Sequence, residues 1–238
     1  LGSALISLVI AYIMYRSYKS AYDMEQYRRT TSNAMAHDLK SPLAVISLYA
    51  ENLKSGKNPE KNQYYMDGIL NEVKAMNEQV ASILDMAKAE DVNTELHKTK
   101  VDIGNIINTA ADVYAETIKT KNIGLDIQGS CQIEADEALM YQAVMNMMDN
   151  AVKYVTKDGK ITVQMSNERL SIQNTSEPIP EDVLKNIWNP FVKGDNSRHG
   201  HKGTGLGLSI VKTIMDRHGF TCEMKNADDG VEVKVDFR

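Results

Sequence analysis

The sequence predicts an α+β protein, in which an antiparallel helical hairpin forming a dimeric four-helix bundle is followed by an α/β sandwich domain. Two stretches near the start carry apolar residues at alternating spacings of three and four, as helices that pack through one seam do. Beyond a polar segment, strand-like and helical patterns alternate to the end of the chain. That alternation is typical of helices on one face of a mixed sheet.

Two apolar seams separated by a turn define the hairpin. The first seam contains Ala36, Leu39, Leu43, Ile46, Ala50 and Leu53, and the second contains Met66, Ile69, Val73, Met76, Val80, Ile83 and Ala87. The turn is Ser-Gly-Lys-Asn-Pro at residues 55–59. Because a hairpin leaves one apolar stripe uncovered, we expect a homodimer that buries the stripe in a four-helix bundle. Packing of the hairpin on the second domain of the same chain is the alternative.

The second domain is predicted to span residues 101–238, after a linker at residues 92–100. Helices are predicted at residues 103–119, 136–155, 181–187 and 205–218. Strands are predicted at residues 123–127, 132–134, 160–166, 169–174, 221–225 and 231–237. Hairpin turns are predicted at residues 167–168 and 227–230.

Composition and charge exclude some classes of protein. An apolar fraction of 42% is enough for ordinary hydrophobic cores. The net charge of −5 argues against a protein that binds nucleic acid. Cys131 and Cys222 lie in apolar strand-like runs, and we expect both to be reduced and buried, because a disulfide framework needs a higher density of cysteine.

The start of the chain combines an apolar run with positive charge. Residues 1–15 carry no charge, and Arg16 and Lys19 follow. A membrane span needs about 20 apolar residues, and flanking positive charge marks the cytoplasmic side. We therefore interpret residues 1–15 as the cytoplasmic end of a truncated transmembrane helix that contacts the membrane. This interpretation predicts the cytoplasmic portion of a cell-membrane protein. A buried amphipathic helix is the alternative.

The first helix carries the motif Ala-His-Asp-Leu-Lys-Ser-Pro-Leu at residues 36–43. Because Ala36 belongs to the seam, His37 is predicted to face outward, with Asp38 beside it and Ser41 one turn further on. Imidazole offers a neutral nucleophilic nitrogen at physiological pH. A carboxylate can orient the ring and stabilise the cation that forms on attack. A solvated surface histidine is the alternative.

The residues that follow the histidine add two expectations. Pro42 lacks a backbone donor and clashes with the preceding turn, which predicts a kink just after His37. Ala44, Val45 and Leu48 continue the outward face as apolar residues. They predict a docking strip for a partner protein, with incidental exposure as the alternative.

The helix predicted at residues 136–155 has one face rich in amides. Asn146, Asn150, Lys153 and Tyr154 share this face, and apolar residues take the opposite one. Mg²⁺ prefers oxygen ligands and shares the phosphates of its nucleotide, so one asparagine carbonyl beside ATP oxygens suits it. A merely solvated helix face is the alternative.

Three glycines, Gly203, Gly205 and Gly207, open the last predicted helix. Glycine allows close approach of the backbone, and the free amides of a helix N-terminus attract phosphate. The preceding residues 193–202 are polar, basic and glycine-bearing, which indicates a lid over a nucleotide. Within it, Arg198 and Lys202 are candidates to stabilise charge on a transferring phosphate.

The histidine motif, the amide-rich helix and the glycine segment, in this order, resemble the motifs of the sensor histidine kinases of two-component systems. The resemblance covers about residues 20–238. The resemblance implies a juxtamembrane signalling helix at residues 16–33, a dimerisation and phosphotransfer hairpin at residues 34–91 and a catalytic ATP-binding domain at residues 101–238. It implies transfer of the ATP γ-phosphoryl group to His37, and from there to an aspartate of a response regulator. The receiver domain of that regulator would dock near His37, Val45 and Leu48.

The resemblance also implies roles for individual residues of the phosphotransfer site. The residue matching Asp38 assists the kinase reaction. The residue matching Ser41 is commonly Thr or Asn in the family and positions water for dephosphorylation of the regulator, so serine is a departure.

ATP and Mg²⁺ are the cofactors that the resemblance implies. Asn150 matches the Mg²⁺ ligand, Asn146 supports the metal–phosphate site, and Lys153 and Tyr154 contact phosphates. Phe191 matches the aromatic anchor of the lid.

The chain departs from the family pattern at the position that contacts adenine. The family has Asp-x-Gly-x-Gly after this strand, and its Asp accepts a hydrogen bond from the adenine amino group. This chain has Asn174 followed by Thr-Ser-Glu-Pro. An asparagine carbonyl still accepts that bond, but the charge is lost and the amide is able to flip. The alternative function is therefore a catalytically weak nucleotide-binding signalling scaffold or phosphatase. A third possible function is that of an ATPase or chaperone of the same superfamily, and the helix that carries His37 argues against it.

Overall fold

The computed structural model describes residues 2–91, 94–193 and 203–238. The chain divides into two compact units, Leu1–Gln79 and Val80–Arg238. The predicted helical hairpin is confirmed by two long helices joined by a short turn. Helix α1 is Gly2–Ser55, a single 3₁₀ turn follows at Pro59–Lys61, and helix α2 is Asn62–Glu90.

Helix α1 ends where the sequence predicts a turn. Gly56 has φ +61°, in the left-handed region that glycine adopts without strain, and the helix cannot continue through it. Within α1, Pro42 is buried and the helix runs through it. None of the helices in the described ranges combines the length and the apolar character that crossing a membrane requires.

Tyrosines pack the end of the hairpin next to the turn. The ring of Tyr49 lies 5.8 Å from that of Tyr64 and 5.7 Å from that of Tyr65. A Cβ atom on Gly68 would overlap the ring of Tyr49, so the lack of a side chain at that position makes room for the aromatic ring.

The second unit contains a two-stranded and a five-stranded sheet. The strands are β1 Lys98–Asp102, β2 Gly124–Gly129, β3 Gln132–Asp136, β4 Lys160–Ser166, β5 Arg169–Thr175, β6 Thr221–Ala227 and β7 Gly230–Asp236. Strands β1 and β3 pair antiparallel, and the larger sheet has the order β2-β4-β5-β7-β6. The β2–β4 pair is parallel and the others are antiparallel, which confirms the predicted mixed sheet.

Helices complete the α/β sandwich of the second unit. They are α3 Ile103–Val113, α4 Ala115–Thr120, α5 Glu137–Tyr154, α6 Glu181–Leu184 and α7 Gly207–His218. Helix α5 packs against α3, α7 and β5. Its Met147 and Met148 are buried, as are Leu170 and Ile172 of β5. The apolar face predicted for α5 is therefore confirmed as its core side.

Two sequence-based expectations about elements between residues 92 and 119 were wrong. Strand β1 begins at Lys98, inside the predicted linker, because its first three residues are exposed and polar and give no apolar signal. The helix predicted at residues 103–119 is interrupted at Tyr114, whose backbone (φ −95°, ψ 6°) leaves the helical region.

Neither cysteine forms a disulfide, but their surroundings differ. Cys131 is buried, whereas Cys222 is half-buried, so the expectation that both are buried is wrong for Cys222. Burial raises the pKa of each thiol to about 11, and both are therefore protonated at neutral pH.

Candidate functional site

The histidine of the first motif faces solvent, as its position beside the seam predicts. The side chain of His37 is 84% exposed, and its Nδ1 lies 3.4 Å from Oδ1 of Asp38. Because an ionised carboxylate only accepts, Nδ1 is then the donor and Nε2 keeps its lone pair for attack on an electrophile. The outward orientation is confirmed, and the phosphoacceptor role stays a prediction at this point.

The outward face beyond His37 is apolar, but less continuous than predicted. Ala44 is exposed and Leu48 is 55% exposed, whereas Val45 is only half-buried. Ser41 is exposed one turn after His37. The apolar strip therefore has Leu48 as its most exposed large side chain.

Helix α5 begins at a side-chain cap. The carboxylate of Asp136 accepts from the backbone N–H of Leu139 at 3.2 Å, which satisfies one of the free amides of the first turn. From this start, Asn146, Asn150 and Lys153 all lie half-buried on the side of α5 opposite its core residues. The amide-rich face predicted from the sequence is thus present at the surface of the domain.

The glycine segment lies directly against this face of α5. A Cβ atom on Gly203 would overlap Nζ of Lys153, and one on Gly207 would lie 2.9 Å from Oδ1 of Asn146. The amide nitrogen of Asn146 donates to the carbonyl of Gln142 at 2.8 Å, which turns its oxygen toward the glycines. Two motifs far apart in the sequence therefore form one site.

Phe191 is joined to the same segment. Its backbone N–H donates to the carbonyl of Gly205 at 2.8 Å, and a Cβ atom on Gly205 would lie 2.8 Å from Cα of Phe191. Both residues have positive φ, +65° for Phe191 and +72° for Gly205. Such a conformation is strained for an aromatic residue and tends to occur at functional sites. Arg198 and Lys202, predicted to belong to the lid, lie outside the described residues.

The last helix begins two residues later than the pattern predicts. Helix α7 starts at Gly207, because Gly205 is left-handed and cannot belong to it. The backbone N–H of Leu206 donates to the hydroxyl of Thr204 at 3.2 Å, which fixes the turn that leads into the helix. The free amides of the first turn of α7 thus follow directly after the glycines.

A tyrosine and a lysine give the site hydrogen-bond donors. Nζ of Lys153 lies 5.2 Å from the centre of the Tyr154 ring, a cation–π distance. Burial, with the nearby charge of Asp149, raises the pKa of Tyr154. Its phenol therefore stays protonated at neutral pH and is able to donate to an anion.

Asn174 lies at the end of β5 and is 6% exposed. Among the described residues its amide nitrogen, Nδ2, is buried without a hydrogen-bond partner, and so is Oγ of Ser176. Ser176 was not among the predicted site residues; its spacing of two from Asn174 was the signal available in the sequence.

The donors on α5 fit Mg²⁺. Within the described ranges, no three His, Cys, Asp or Glu side chains form a group that would hold a metal ion by itself. The oxygen donors of the site are instead the amides of Asn146 and Asn150. Mg²⁺ takes only a few of its ligands from the protein, because it shares the phosphate oxygens of its nucleotide. A small number of amide oxygens is therefore suitable for it.

Arg217 of α7 holds the last turn of α2 and was missed by the sequence reasoning. Its guanidinium donates to the carbonyls of Ala89 at 3.2 Å and Thr94 at 2.6 Å. Met86 and Ala89 are buried within the second unit, and Ser209 of α7 lies 3.8 Å from the sulfur of Met86. The end of α2 therefore packs on the helix that the glycine segment opens.

Two family models match the chain. Residues 27–92 match the His Kinase A (phospho-acceptor) domain, and residues 135–238 match the histidine kinase-, DNA gyrase B- and HSP90-like ATPase. The first match contains His37, and the second contains α5 and the glycine segment. The ATP-binding character of the second unit rests on this match.

Curated relatives are similar along most of the chain. The adaptive-response sensory kinase SasA of Crocosphaera subtropica is 29% identical over 77% of this chain and 52% of its own length. The autoinducer 2 sensor kinase/phosphatase LuxQ of Vibrio vulnificus is 29% identical over 82% of this chain and 25% of its own. The chain thus spans about a quarter to a half of the length of these relatives.

A solved structure shares the fold across both units. It is that of histidine kinase ThkA in complex with response regulator protein TrrA, with 27% identity and a TM-score of 0.65 over 84% of this chain and 58% of that one. The family matches, the relatives and this shared fold agree with the order of the three motifs. The chain therefore belongs to the sensor histidine kinases, with a His Kinase A domain followed by a histidine kinase-type ATPase domain.

Proposed function

We propose that this chain is the kinase region of a sensor protein that transfers the γ-phosphoryl group of ATP to His37 and then to an aspartate of a response regulator. One observation carries the proposal. An outward histidine with a carboxylate 3.4 Å from its Nδ1 is present in the same chain as an ATPase domain whose glycine segment lies against Asn146 and Lys153.

The chemistry requires one nucleophile and one orienting group in the first step. Asp38 accepts from Nδ1–H of His37, so Nε2 attacks the γ-phosphorus of ATP. The new N–P bond forms as the bond from that phosphorus to the β–γ bridging oxygen breaks, and ADP leaves. The carboxylate stabilises the positive charge that develops on the imidazole. In the second step an aspartate of the regulator attacks phosphorus, the N–P bond breaks and neutral His37 returns.

The ATP-binding side supplies positioning and charge. We assign contacts with phosphate oxygens to Lys153 and to the protonated phenol of Tyr154, and the amides at the start of α7 would add positive potential. Asn150 would hold Mg²⁺, with Asn146 supporting it, and the bound ion would neutralise phosphate charge during transfer. Phe191 anchors the start of the lid, to which we assign Arg198 and Lys202.

A phosphatase reaction is a second candidate function. Ser41 presents a hydroxyl one turn from His37, where it would position water against a phosphorylated regulator. The relative LuxQ is by its name both a kinase and a phosphatase. The same surface of α1 would then serve both transfer to the regulator and its dephosphorylation.

The partners we propose are a second copy of the chain and a response regulator. Met66, Val73 and Val80 remain more than 40% exposed along the second seam of a single chain, which supports burial against a second copy in a four-helix bundle. The solved complex of ThkA with TrrA supports docking of a receiver domain, for which we propose the strip at Val45 and Leu48.

The apolar start of the chain supports a membrane contact through α1, with the remainder on the cytoplasmic side. We propose the predicted boundaries for these regions: residues 1–15 for the membrane end, 16–33 for the signalling helix, 34–91 for the phosphotransfer hairpin and 101–238 for the catalytic domain.

The deciding experiment incubates the purified chain with γ-labelled ATP and Mg²⁺. We expect acid-labile, alkali-stable label on wild type, none on His37→Gln, and a large loss on Asn150→Asp. Asn167→Asp, which makes the same change at the exposed turn between β4 and β5, should keep the label. Label that persists on His37→Gln would refute the assignment of the phosphoacceptor.

Docking and dimerisation are tested separately. Leu48→Glu should reduce transfer from phosphorylated His37 to a cognate receiver domain, while autophosphorylation continues. Sedimentation equilibrium should give twice the mass of the chain, and Val73→Glu should lower it towards that of a single copy. If Leu48→Glu transfers at the wild-type rate, the strip is not the docking surface.

A further inference from the structure

The end of strand β5 carries two buried polar groups without partners. Asn174 is 6% exposed and its Nδ2 has no acceptor, while Oγ of Ser176 is equally unpaired. They are the buried side-chain nitrogen and oxygen atoms without partners in the described part of the second unit. A buried polar group without a partner is unfavourable, so two together indicate the position of a ligand's polar edge.

Asn174 lies on the side of the sheet that faces α5. Asn174 alternates with Leu170 and Ile172, which are buried under α5, whereas Ser171 points to the other face and donates to Glu232 at 2.6 Å. The backbone N–H of Thr156, just beyond the end of α5, donates to the carbonyl of the residue next to Asn174 at 2.9 Å. The unpaired groups therefore lie near the end of the helix that carries Lys153 and Tyr154.

The segment that holds them is fixed. The side chain of Asn226 accepts from the backbone N–H of Ile179 at 2.8 Å and donates to its carbonyl at 2.9 Å. This pair of bonds ties the segment after β5 to β6. Ser176 thus lies between a paired strand and a loop held by two hydrogen bonds, two residues after Asn174.

We propose that Asn174 and Ser176 bind the six-membered edge of a purine and accept both 6-amino and 6-oxo purine nucleoside triphosphates. The inference rests on the proposed function, because it assigns the base end of the same nucleotide site. A side-chain amide carries one donor group, the NH₂, and one acceptor, the carbonyl oxygen, and a half-turn about its last bond exchanges their positions. Its oxygen accepts from a 6-amino group, and its nitrogen donates to a 6-oxo group.

A carboxylate at this position would not have this freedom. It offers acceptors alone when ionised, and an acceptor facing a 6-oxo oxygen is repelled. When a buried donor or acceptor lacks its partner on the ligand, the affinity for that ligand falls by roughly tenfold to hundredfold. Asparagine therefore removes the discrimination against 6-oxo purines that aspartate would supply.

The test compares ATP with ITP, whose base carries an oxygen in place of the 6-amino group. Both are titrated calorimetrically into the whole chain with Mg²⁺. We expect dissociation constants within about tenfold of each other for wild type, since either base finds a matching group. Asn174→Asp should retain the affinity for ATP and lower the affinity for ITP by roughly tenfold to hundredfold. Asn167→Asp, at the exposed turn at the other end of β5, adds the same charge and should leave the ratio unchanged.

A second variant keeps the test valid if a buried carboxylate destabilises the domain. Asn174→Ala removes donor and acceptor together, and should weaken ATP and ITP alike. ITP that binds wild type more than a hundredfold more weakly than ATP would overturn the inference, as would an unchanged ratio in Asn174→Asp. If ITP binds more than a hundredfold more weakly than ATP but His37 is still labelled, this inference fails and the kinase function is retained. Equal binding of both nucleotides without label on His37 would instead refute the kinase function alone.

Discussion

A Cβ atom on Gly207 would lie 2.9 Å from the side-chain oxygen of Asn146, so the start of the last helix packs tightly against the amide-rich helix. The amide of Asn146 has little freedom to retreat, because its nitrogen donates to the carbonyl of Gln142 at 2.8 Å. Any side chain at position 207 must therefore displace the side-chain oxygen of Asn146 or shift the start of α7.

Gly207→Ala should weaken ATP binding by about tenfold, because forcing a methyl group into a packed contact is unfavourable by about 1–3 kcal/mol. Calorimetric titration with ATP and Mg²⁺ measures the change. The matched control is Gly124→Ala, whose new Cβ would meet its neighbours only at ordinary distances of 3.7–3.8 Å. Equal affinity of Gly207→Ala and wild type would show that the two helices do not constrain each other.

Arg217→Ala should destabilise the second unit by about 1–2 kcal/mol, since a charged donor loses the carbonyls of Ala89 and Thr94. Urea unfolding measures the loss, and hydrogen exchange should become faster in the last turn of α2. Arg169→Ala is the control, because its ion pair with Asp236 is exposed and such pairs contribute about 0–1 kcal/mol. Slow exchange in Arg217→Ala would show that the last turn of α2 is held by its apolar contacts alone.

The features that the sequence predicted well are set by local patterns. Helix α5 was expected at residues 136–155 and occupies Glu137–Tyr154, because its cap, its apolar face and its amide face all repeat at helical spacing. His37 faces outward for the same reason, since its place on α1 follows from the adjacent seam.

The features that the sequence did not predict depend on contacts between distant segments. Strand β1 starts with exposed polar residues and exists because it pairs with β3, in a register that places Val101 opposite Ile133. The close approach of Gly203 to Nζ of Lys153, and the hydrogen bonds of Arg217 to the end of α2, also require the assembled fold. No periodicity within one element carries that information.

The buried imidazole of His218 gives the second unit a dependence on pH. Its Nδ1 donates to the carbonyl of Ile214 at 2.8 Å, so its Nε2 accepts from the backbone N–H of Asp136 at 3.0 Å. Burial lowers the pKa of His218, with smaller contributions in the same direction from Lys98 and Arg217, while the Ile214 carbonyl and Asp136 oppose them. A proton on Nε2 would face the N–H of Asp136 and break that bond.

Stability should therefore decrease as the pH falls below about 6.5, the ordinary pKa of histidine in the unfolded chain. Below that value His218 is protonated in the unfolded chain at a higher pH than in the folded chain. One such proton changes the free energy of unfolding by at most about 1.4 kcal/mol per pH unit. Urea unfolding between pH 7.5 and about pH 5.5 measures the change. His218→Gln should lose this part of the dependence, and His97→Gln, at an exposed position, should retain it. Parallel profiles for wild type and His218→Gln would contradict the assignment.

Gly68 tests whether packing or helix propensity decides the stability of the hairpin. Alanine is favoured over glycine inside a helix by about 1 kcal/mol, but a Cβ here would overlap the ring of Tyr49. That ring is held between Tyr64 and Tyr65, and overpacking is unfavourable by about 1–3 kcal/mol, so Gly68→Ala should lower the melting temperature of the hairpin. In a Tyr49→Leu background the ring is gone, and the same change should stabilise the hairpin by up to about 1 kcal/mol. A stabilising effect in both backgrounds, at fixed protein concentration, would mean that the tyrosines move aside and that propensity prevails.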